Sequence, residues 1–163
     1  MFISALTAQS IQAADLKVGY VNTKTISQKL PQSKTIIKNI QNEFAGKFEI
    51  LQKLDGEIKA LQTKGQKEGP TMANSALTAL KRQMEQKISQ LKLQDTNLKE
   101  DIQRRQKEEF LKLNVRIGQA IEAVAKRDSY DLLLYKSSIL FVSTNITDVS
   151  EDVVKLMTDP KAN

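Results

Sequence analysis

The sequence of 163 residues contains no cysteine, no histidine and no tryptophan, and only 5% of its residues are aromatic. The absence of Cys and His excludes disulfides, thiolate or imidazole zinc sites, His-ligated haem, and catalysis by a Cys nucleophile or a His base. Gly and Pro are scarce too, with six and three residues. Few helix-breaking residues beside abundant Lys, Gln, Leu and Glu are typical of a helix-rich protein. We expect neither an enzyme nor a cofactor or metal site.

Long apolar runs are also missing, because no stretch approaches the ~20 apolar residues needed to cross a bilayer. The first fourteen residues are uncharged, moderately apolar and followed by the charged Asp15. They resemble the end of a secretory signal without its basic start, so residues 1–13 are interpreted as a signal-peptide remnant. A frayed cytosolic N-terminus is the alternative. We favour export.

Positive charge is concentrated in the middle of the chain. Residues 33–127 hold 19 basic and 12 acidic residues, a net charge of +7, whereas the remaining residues hold six and seven, a net charge of −1. A basic segment of this kind favours acidic partners, which include nucleic acid, anionic lipid and acidic protein.

Two stretches, 33–61 and 77–124, carry apolar residues at steps of three and four, which predicts two long helices. Two Gly and a Pro at 65–70 predict the turn between them. At 1.5 Å per residue the helices reach about 45 Å and 80 Å. Asp95 and Gln106 lie in the apolar seam, so the helices of this coiled-coil hairpin should pair loosely. Bending is expected at three glycines inside the helices, Gly46, Gly56 and Gly118.

Short strands are predicted near both chain ends. Residues 18–22 form one β-rich run. Residues 130–135 and 139–142 form two more, separated by three polar residues, which predicts a β-hairpin. These segments are too small to bury a stable core alone, so we expect copies of the chain to share them.

Helix starts have their own signals. A turn or short helix follows the first strand as far as Leu30, and Pro31 with Ser33 can open the first long helix. Asp148, with Glu151 three residues later, is a capping-box pattern that predicts a short last helix.

The predicted fold class is therefore α+β. Residues 14–163 form a single domain, in which a small β-strand body, 14–32 with 128–163, is shared in an oligomer. A long antiparallel helical hairpin, 33–127, projects from the body.

This layout resembles the Skp/OmpH family of periplasmic chaperones over residues 14–157. Six stretches carry the resemblance, and their order is more specific than any one of them. They are 18–22 (VGYVN), 42–47 (NEFAGK), Arg104-Arg105 followed by Glu108-Glu109, Arg116-Ile117, Tyr130-Asp131-Leu132, and 148–156.

The resemblance implies a homotrimer in the periplasm whose strands form a shared body and whose three hairpins surround a cavity. It implies that unfolded outer-membrane proteins are held there without ATP or any cofactor. The segment 65–72 matches no motif of the family.

The densest basic group is Arg104, Arg105, Lys112 and Arg116. The resemblance implies binding of lipopolysaccharide or an anionic membrane surface near these positions. The alternative, which we favour, is an ordinary solvated face, because Arg104–Glu108, Arg105–Glu109 and Glu108–Lys112 are all i,i+4 pairs.

Four apolar residues are candidates for contact with an unfolded client, namely Phe44, Phe48, Met72 and Met84. Methionine adapts to many surfaces. Phe44 and Phe48 lie on the pairing stripe, which favours a core role for both. Met72, close to the turn, has the better prospect of exposure.

The competing function is a basic coiled-coil protein that is structural or binds nucleic acid. Without aromatic stacking platforms, such a helix would bind nucleic acid only non-specifically and with a steep salt dependence. We therefore favour a holdase chaperone that captures acidic or amphipathic chains through many weak contacts.

Overall fold

The computed structural model describes residues 16–159. Its elements, in chain order, are β1 (Val18–Val21), α1 (Thr23–Lys29), α2 (Pro31–Glu43), α3 (Ala45–Glu68), α4 (Asn74–Arg127), β2 (Leu132–Tyr135), β3 (Thr147–Asp148) and α5 (Ser150–Thr158). The chain divides into two compact units. One unit combines the chain up to Leu30 with the chain from Arg116 onward, and the other is Pro31–Val115. The sequence predicted a hairpin that ends at residue 127, where the body resumes at 128. The second compact unit ends earlier, at Val115. The predicted signal remnant lies outside the described residues.

The unit built from the chain ends contains a three-stranded parallel sheet with β1 in the centre. β2 pairs with β1 from Val18↔Leu132 to Val21↔Tyr135, and β3 pairs with the other side through Gly19↔Thr147.

The predicted β-hairpin over 130–142 is wrong. After β2 the chain makes a 3-10 turn at Lys136–Ser138, and residues 139–142 form no strand. Leu140 and Phe141 are 108% and 83% exposed, so within the described residues this apolar run has no strand to pair with. The Lys-Ser-Ser connection also lacks the Gly or Asn that a tight hairpin turn requires.

Gly19 is required by the closeness of the neighbouring strands. A Cβ at this position would lie 2.9 Å from Leu133 Cδ2, 2.9 Å from Tyr130 Cε1 and 3.2 Å from the backbone oxygen of Thr147. Because a contact of 2.9 Å is closer than real Cβ atoms come, the side chains of Leu133 and Tyr130 would have to shift to admit any residue other than Gly here.

The core of the same unit lies where α1, α4 and α5 bring apolar side chains together. The fully buried side chains include Val21, Ile26, Leu30, Ile117, Val124, Val149 and Val153. The predicted short helix before Leu30 is confirmed as α1, and the Asn22 side chain caps it by accepting a hydrogen bond from Thr25 N (3.2 Å).

The predicted last helix is confirmed as α5, but its capping box is not formed. Asp148 belongs to β3, and Val149 N–H still donates to Tyr20 O (3.0 Å), so strand pairing delays the helix to Ser150. Asp148 Oδ1 then accepts from Ser150 N (2.9 Å) instead of from the third helical residue. Glu151 pairs with Lys29 rather than folding back on the cap.

The second unit contains the predicted helical hairpin. Contacts between α3 and α4 run antiparallel: Lys47 pairs with Asp101, Glu57 with Lys87, and Gly65 faces Leu80. A 3-10 turn at Gly69–Thr71 follows α3, so the predicted turn is present, but α3 continues through Gly65 to Glu68 and the turn begins later than the predicted 65–70. α4 has 54 residues, a length of about 80 Å.

The first long helix of the hairpin is broken into two. It begins at Pro31 rather than at a Ser33 cap, since Ser33 is a buried helical residue. α2 ends at Glu43 and α3 begins at Ala45, with Phe44 between them at φ −98° and ψ 3°. Gly46 lies beside this break and eases it. α3 and α4 run through Gly56 and Gly118 without interruption.

Candidate functional site

The described residues contain no group of three or more carboxylates arranged to hold a metal ion. None of the helices in residues 16–159 is long and apolar enough to cross a bilayer. The helical hairpin carries clefts, exposed apolar side chains and ion pairs, and we take its surface as the candidate site.

The hairpin has a buried apolar cluster at the break between α2 and α3. Ile40, Phe44 and Leu98 form a buried cluster there, with Ile36, Leu51 and Ile102 packed against it. Leu54 and Ile58 continue the seam along α3, each 6% exposed. This cluster fixes how α3 and α4 align and leaves the rest of the seam more open.

Clefts open along the seam of α3 and α4. The mid-hairpin cleft, with a volume of about 540 Å³, is lined by Leu51, Gln52, Asp55, Ile88, Leu91, Lys92 and Asp95. Asp95, a predicted polar interruption of the seam, thus borders a cleft. A smaller cleft of about 240 Å³ lies beside the break and includes Ile50 and Lys47.

The turn-end cleft lies closest to the turn and has a volume of about 460 Å³. It is lined by Leu61, Gln62, Gly65, Gln66, Leu77, Leu80, Lys81 and Met84. Sequence reasoning missed it because periodic Leu residues predict a closed core. The available signal was Gly65, a residue without a side chain in the apolar seam, which lies against Leu80.

The four predicted client-contact residues take different positions. Phe44 is buried in the break cluster, 6% exposed, which confirms the core interpretation for it. Phe48 is 43% exposed and therefore departs from the core role that its stripe position favoured. Met72 follows the turn and is half-buried rather than exposed, and Met84 lines the turn-end cleft.

Further exposed apolar side chains, which the sequence did not single out, lie on the same unit. They are Ile37, Ile50, Ile88, Leu93, Leu111 and Val115, each at least 43% exposed.

The predicted basic group lies within a network of ion pairs. Arg104 contacts Asp101 at 2.9 Å and Glu108 at 3.5 Å. Arg105 donates to Glu109 at 2.9 Å and to Glu108 at 3.1 Å, and it also reaches across the hairpin to Glu43 at 3.2 Å. The expected i,i+4 pairs of both Arg residues are confirmed.

The other two members of the group differ. Lys112 pairs with Glu109 at 2.8 Å rather than with the predicted Glu108. Arg116, which belongs to the unit of the chain ends, also has an interaction partner. The network therefore favours the solvated, ion-paired face over an open anion site.

The ion pairs change the acidity of the carboxyl groups. Hydrogen bonds from Lys47 and Arg104 hold the pKa of Asp101 below its usual range. Lys112 and Arg105 lower the pKa of Glu109 in the same way, and Lys87 lowers that of Glu57. These carboxylates stay charged well into acid, so the cross-hairpin pairs persist at neutral pH.

A second apolar surface lies on the sheet. β2 is an edge strand, because its partner β1 lies on one side only. Leu132, Leu134 and Tyr135 on this strand are 48%, 40% and 52% exposed, and the exposed Leu140 and Phe141 follow it. An uncovered apolar edge strand is a surface prepared for another chain.

Residues 17–157 match the family model described as outer membrane protein (OmpH-like). The chain belongs to the OmpH-like family. The predicted family resemblance is thereby confirmed, and OmpH-like membership accounts for the order of the six stretches that carried it.

Several relatives of this OmpH-like chain are named chaperone protein Skp. The Skp of Pectobacterium atrosepticum is 33% identical over 146 residues, which cover 90% of this chain and 87% of that protein. The Skp of Vibrio cholerae is 31% identical over 93% of this chain and 89% of its own length. The Skp of Escherichia coli is 30% identical, with 91% and 89% covered.

A solved structure shares the fold. An OmpH-like outer membrane chaperone of Caulobacter crescentus aligns with a TM-score of 0.60 at 16% identity, covering 92% of this chain and 88% of that chain. At this identity the likeness concerns the fold alone, and it confirms the predicted α+β class with a long helical hairpin.

Proposed function

We propose that this OmpH-like protein is a periplasmic holdase chaperone, which binds unfolded outer-membrane proteins without ATP and prevents their aggregation. The observation that carries the proposal is the similarity to proteins named chaperone Skp over about nine-tenths of both chains. The open clefts and exposed apolar side chains of the hairpin support it, because capture of varied chains needs many adaptable contacts.

The mechanism follows from the charge and apolar surface of the hairpin. Its basic character attracts an acidic client over a distance, and the clefts then take apolar side chains. Many weak contacts replace a single tight site. A client held in this way cannot pair its exposed strand edges with those of another copy.

Aggregation of an unfolded outer-membrane β-barrel protein, diluted from urea without nucleotide, tests the proposal. Stoichiometric chaperone at low salt should keep the client soluble. If the client aggregates as it does alone, the holdase proposal fails. If a DNA duplex binds tightly under the same conditions, the nucleic-acid alternative gains instead.

The assembly that we propose is a homotrimer joined through the sheet. The exposed apolar residues of β2 and the run that follows it support an interface there, because these side chains find no cover within the described residues. Leu134→Glu should dissociate the trimer in light scattering. Leu111→Glu, which places the same charge at a 63% exposed position on α4, should leave it intact. A wild-type monomer at micromolar concentration would overturn the proposal.

Lipopolysaccharide binding by Arg104, Arg105, Lys112 and Arg116 stays a prediction. The ion pairs of the first three residues support the structural alternative. Titration of the purified protein with lipopolysaccharide, compared with an Arg104→Gln/Lys112→Gln variant, tests it. Equal affinity for both proteins would remove this site.

A further inference from the structure

The turn-end cleft differs from the other clefts in the charges around it. Residues 61–84, which span its lining, contain four basic residues and one acidic residue, Glu68. The four basic residues, here called the turn-end cations, are Lys64, Lys67, Lys81 and Arg82. Lys81 lines the cleft, and each of the others adjoins a lining residue or Lys81 in sequence.

The turn-end cations have no ion-pair partner among the residues that the structure describes. Among residues 16–159 none of them takes part in an ion pair, whereas Lys59 pairs with Asp55 and Lys87 with Glu57 just outside this stretch. Arg104 and Arg105, which looked the more basic pair in sequence, are neutralised by acidic partners. The free positive charge of the hairpin is therefore stronger at the turn than at the predicted basic group.

The mid-hairpin cleft provides the contrast. It is larger, but two of its lining residues are the carboxylates Asp55 and Asp95. Each carboxylate pairs with a Lys four residues later on its own helix. An acidic ligand would meet these two ion-paired carboxylates as well as Lys92 there, whereas the polar side chains in the lining of the turn-end cleft are two amides and a cation, with no carboxylate.

The form of the turn-end cleft suits side chains of a flexible polypeptide. Its apolar lining residues are recessed, since Leu61, Leu77, Leu80 and Met84 are each only half-exposed or less. Its volume lies within the range of about 300–1,000 Å³ that small-ligand pockets show. A flat bilayer surface would require apolar side chains that protrude, as those of membrane-surface helices do.

We propose that the turn-end cleft is a binding subsite for acidic, amphipathic segments of unfolded polypeptide, whose apolar side chains enter the cleft while neighbouring carboxylates meet the turn-end cations. This inference rests on the proposed holdase function and assigns one of its contact sites. Gly65 lies in the lining, and a Cβ there would already be in van der Waals contact with Leu80 Cδ2 at 3.4 Å, so a larger side chain at this position would take up space in the cleft.

The first experiment fills the cleft without changing any charge. Gly65→Leu places a side chain against Leu80, and Gly56→Leu is the matched control, since a Cβ at Gly56 on the same helix meets nothing within 4 Å. Both variants gain helix propensity, so neither should unfold the hairpin. The probe is a labelled synthetic peptide that alternates Asp with Phe or Leu, and its binding to the full-length protein is followed by fluorescence anisotropy.

The expected result is that Gly65→Leu weakens peptide binding about tenfold, because the burial of at least one large apolar side chain is lost. Gly56→Leu should bind like the wild type. Equal affinities for all three proteins, or no binding of the peptide by the wild type, would overturn the subsite. The holdase function is read separately, as aggregation suppression by the wild type, and can stand if the subsite falls.

The second experiment removes charge at two places. One variant changes the four turn-end cations to Gln, and its control changes four other exposed Lys residues that have no ion pair in residues 16–159 and line no cleft described above, namely Lys24, Lys34, Lys38 and Lys107. The net charge falls by four in both. The turn-end variant should lose more affinity for the acidic peptide, and neither should change affinity for a peptide with Asn in place of Asp. If both variants lose affinity equally, the effect is a general electrostatic attraction to the basic hairpin, and the subsite proposal is overturned.

The last arm decides between polypeptide and membrane. Phosphatidylglycerol vesicles are titrated with the wild type, Gly65→Leu and Gly56→Leu. If all three proteins bind the vesicles equally, lipid does not use the cleft, and the assignment of the cleft to peptide stands. Vesicle binding that Gly65→Leu abolishes, while peptide binding is retained, would make the cleft a lipid site and overturn the proposal.

Discussion

The two compact units bury their apolar side chains to different degrees. Every large side chain that is fully buried, with less than 2% exposure, lies in the unit of the chain ends, whereas the best-buried residues of the hairpin unit retain 3–6%. The hairpin unit also holds clefts and more exposed large apolar residues along its helices. One unit is packed as a core around the sheet, and the other is packed as a seam that stays partly open. If the proposed holdase function is correct, the difference means that one part of the chain supplies stability and another supplies binding.

The largest effect should come from the packed unit. Ile26→Ala removes a fully buried side chain and should lower the free energy of unfolding by about 2–5 kcal/mol, measured by urea denaturation at fixed protein concentration. Leu93→Ala on α4, at a position 62% exposed, should change it by less than about 0.5 kcal/mol. Similar losses in both variants would contradict the contrast between the units.

A smaller effect is expected at the glycines. Gly19→Ala forces contacts of 2.9 Å with Leu133 and Tyr130 and should destabilise the sheet by about 1–3 kcal/mol. Gly56→Ala meets open space on α3 and should stabilise the hairpin by up to about 1 kcal/mol. Thermal unfolding of the two variants should shift in opposite directions, and a shift in the same direction would show that the sheet tolerates a side chain.

Salt should slow the association of acidic clients with the hairpin unit. If its net positive charge steers acidic clients, their association rate constant should fall by about tenfold as salt rises past 0.1 M, where the screening length is about 10 Å. Dissociation should change less, because apolar contacts hold the docked client. Stopped-flow binding of an unfolded β-barrel protein measures both rates. A salt-independent association rate would remove the steering step.

The smallest expected effect is a loss of hairpin stability at acid pH. The pKa of Asp101 and of Glu109 is lowered in the folded protein, so their contribution to stability is present above the unfolded pKa and is lost as pH falls through the folded one. The hairpin should therefore loosen below about pH 4, the ordinary pKa of a carboxyl group. Hydrogen exchange of α3 amides at neutral and acid pH should show this. Asp101→Asn should already loosen the hairpin at neutral pH, whereas the exposed Glu100→Gln should not.

Much of the fold follows from periodicity. The stripes predicted the hairpin, because steps of three and four identify helices whatever they pack against. Bending was expected at Gly46, but a division into two helices at Phe44 was not predicted, because the stripe continues across it with Phe44 still in register. Parallel pairing of β1 was missed as well, since a strand pattern does not name a partner more than a hundred residues away. Residues 139–142 were apolar enough for a strand but have no strand to join.

The site was less predictable than the fold. The Arg105–Glu109 pair follows from spacing on one helix, whereas Glu43–Arg105 depends on the alignment of two helices. Whether a cleft forms at Leu80 depends on the residue of the neighbouring helix that faces it. A single sequence does not show that this residue is Gly65. The sequence likewise did not show which cations lack an ion pair, because ion pairing depends on residues that are neighbours in space.

The central position of β1 has a consequence for how the chain is made. Residue 17 and residue 131, which flank the β1–β2 pairing, are hydrogen-bonded at a separation of 114 positions in the chain, and β3 follows later still. The first strand to leave the ribosome is therefore the last to be completed, and it must wait unpaired until almost the whole polypeptide has been synthesised. The helices between them need only local contacts and can form in the meantime. Truncated chains that end before residue 147 should have helices but no finished sheet.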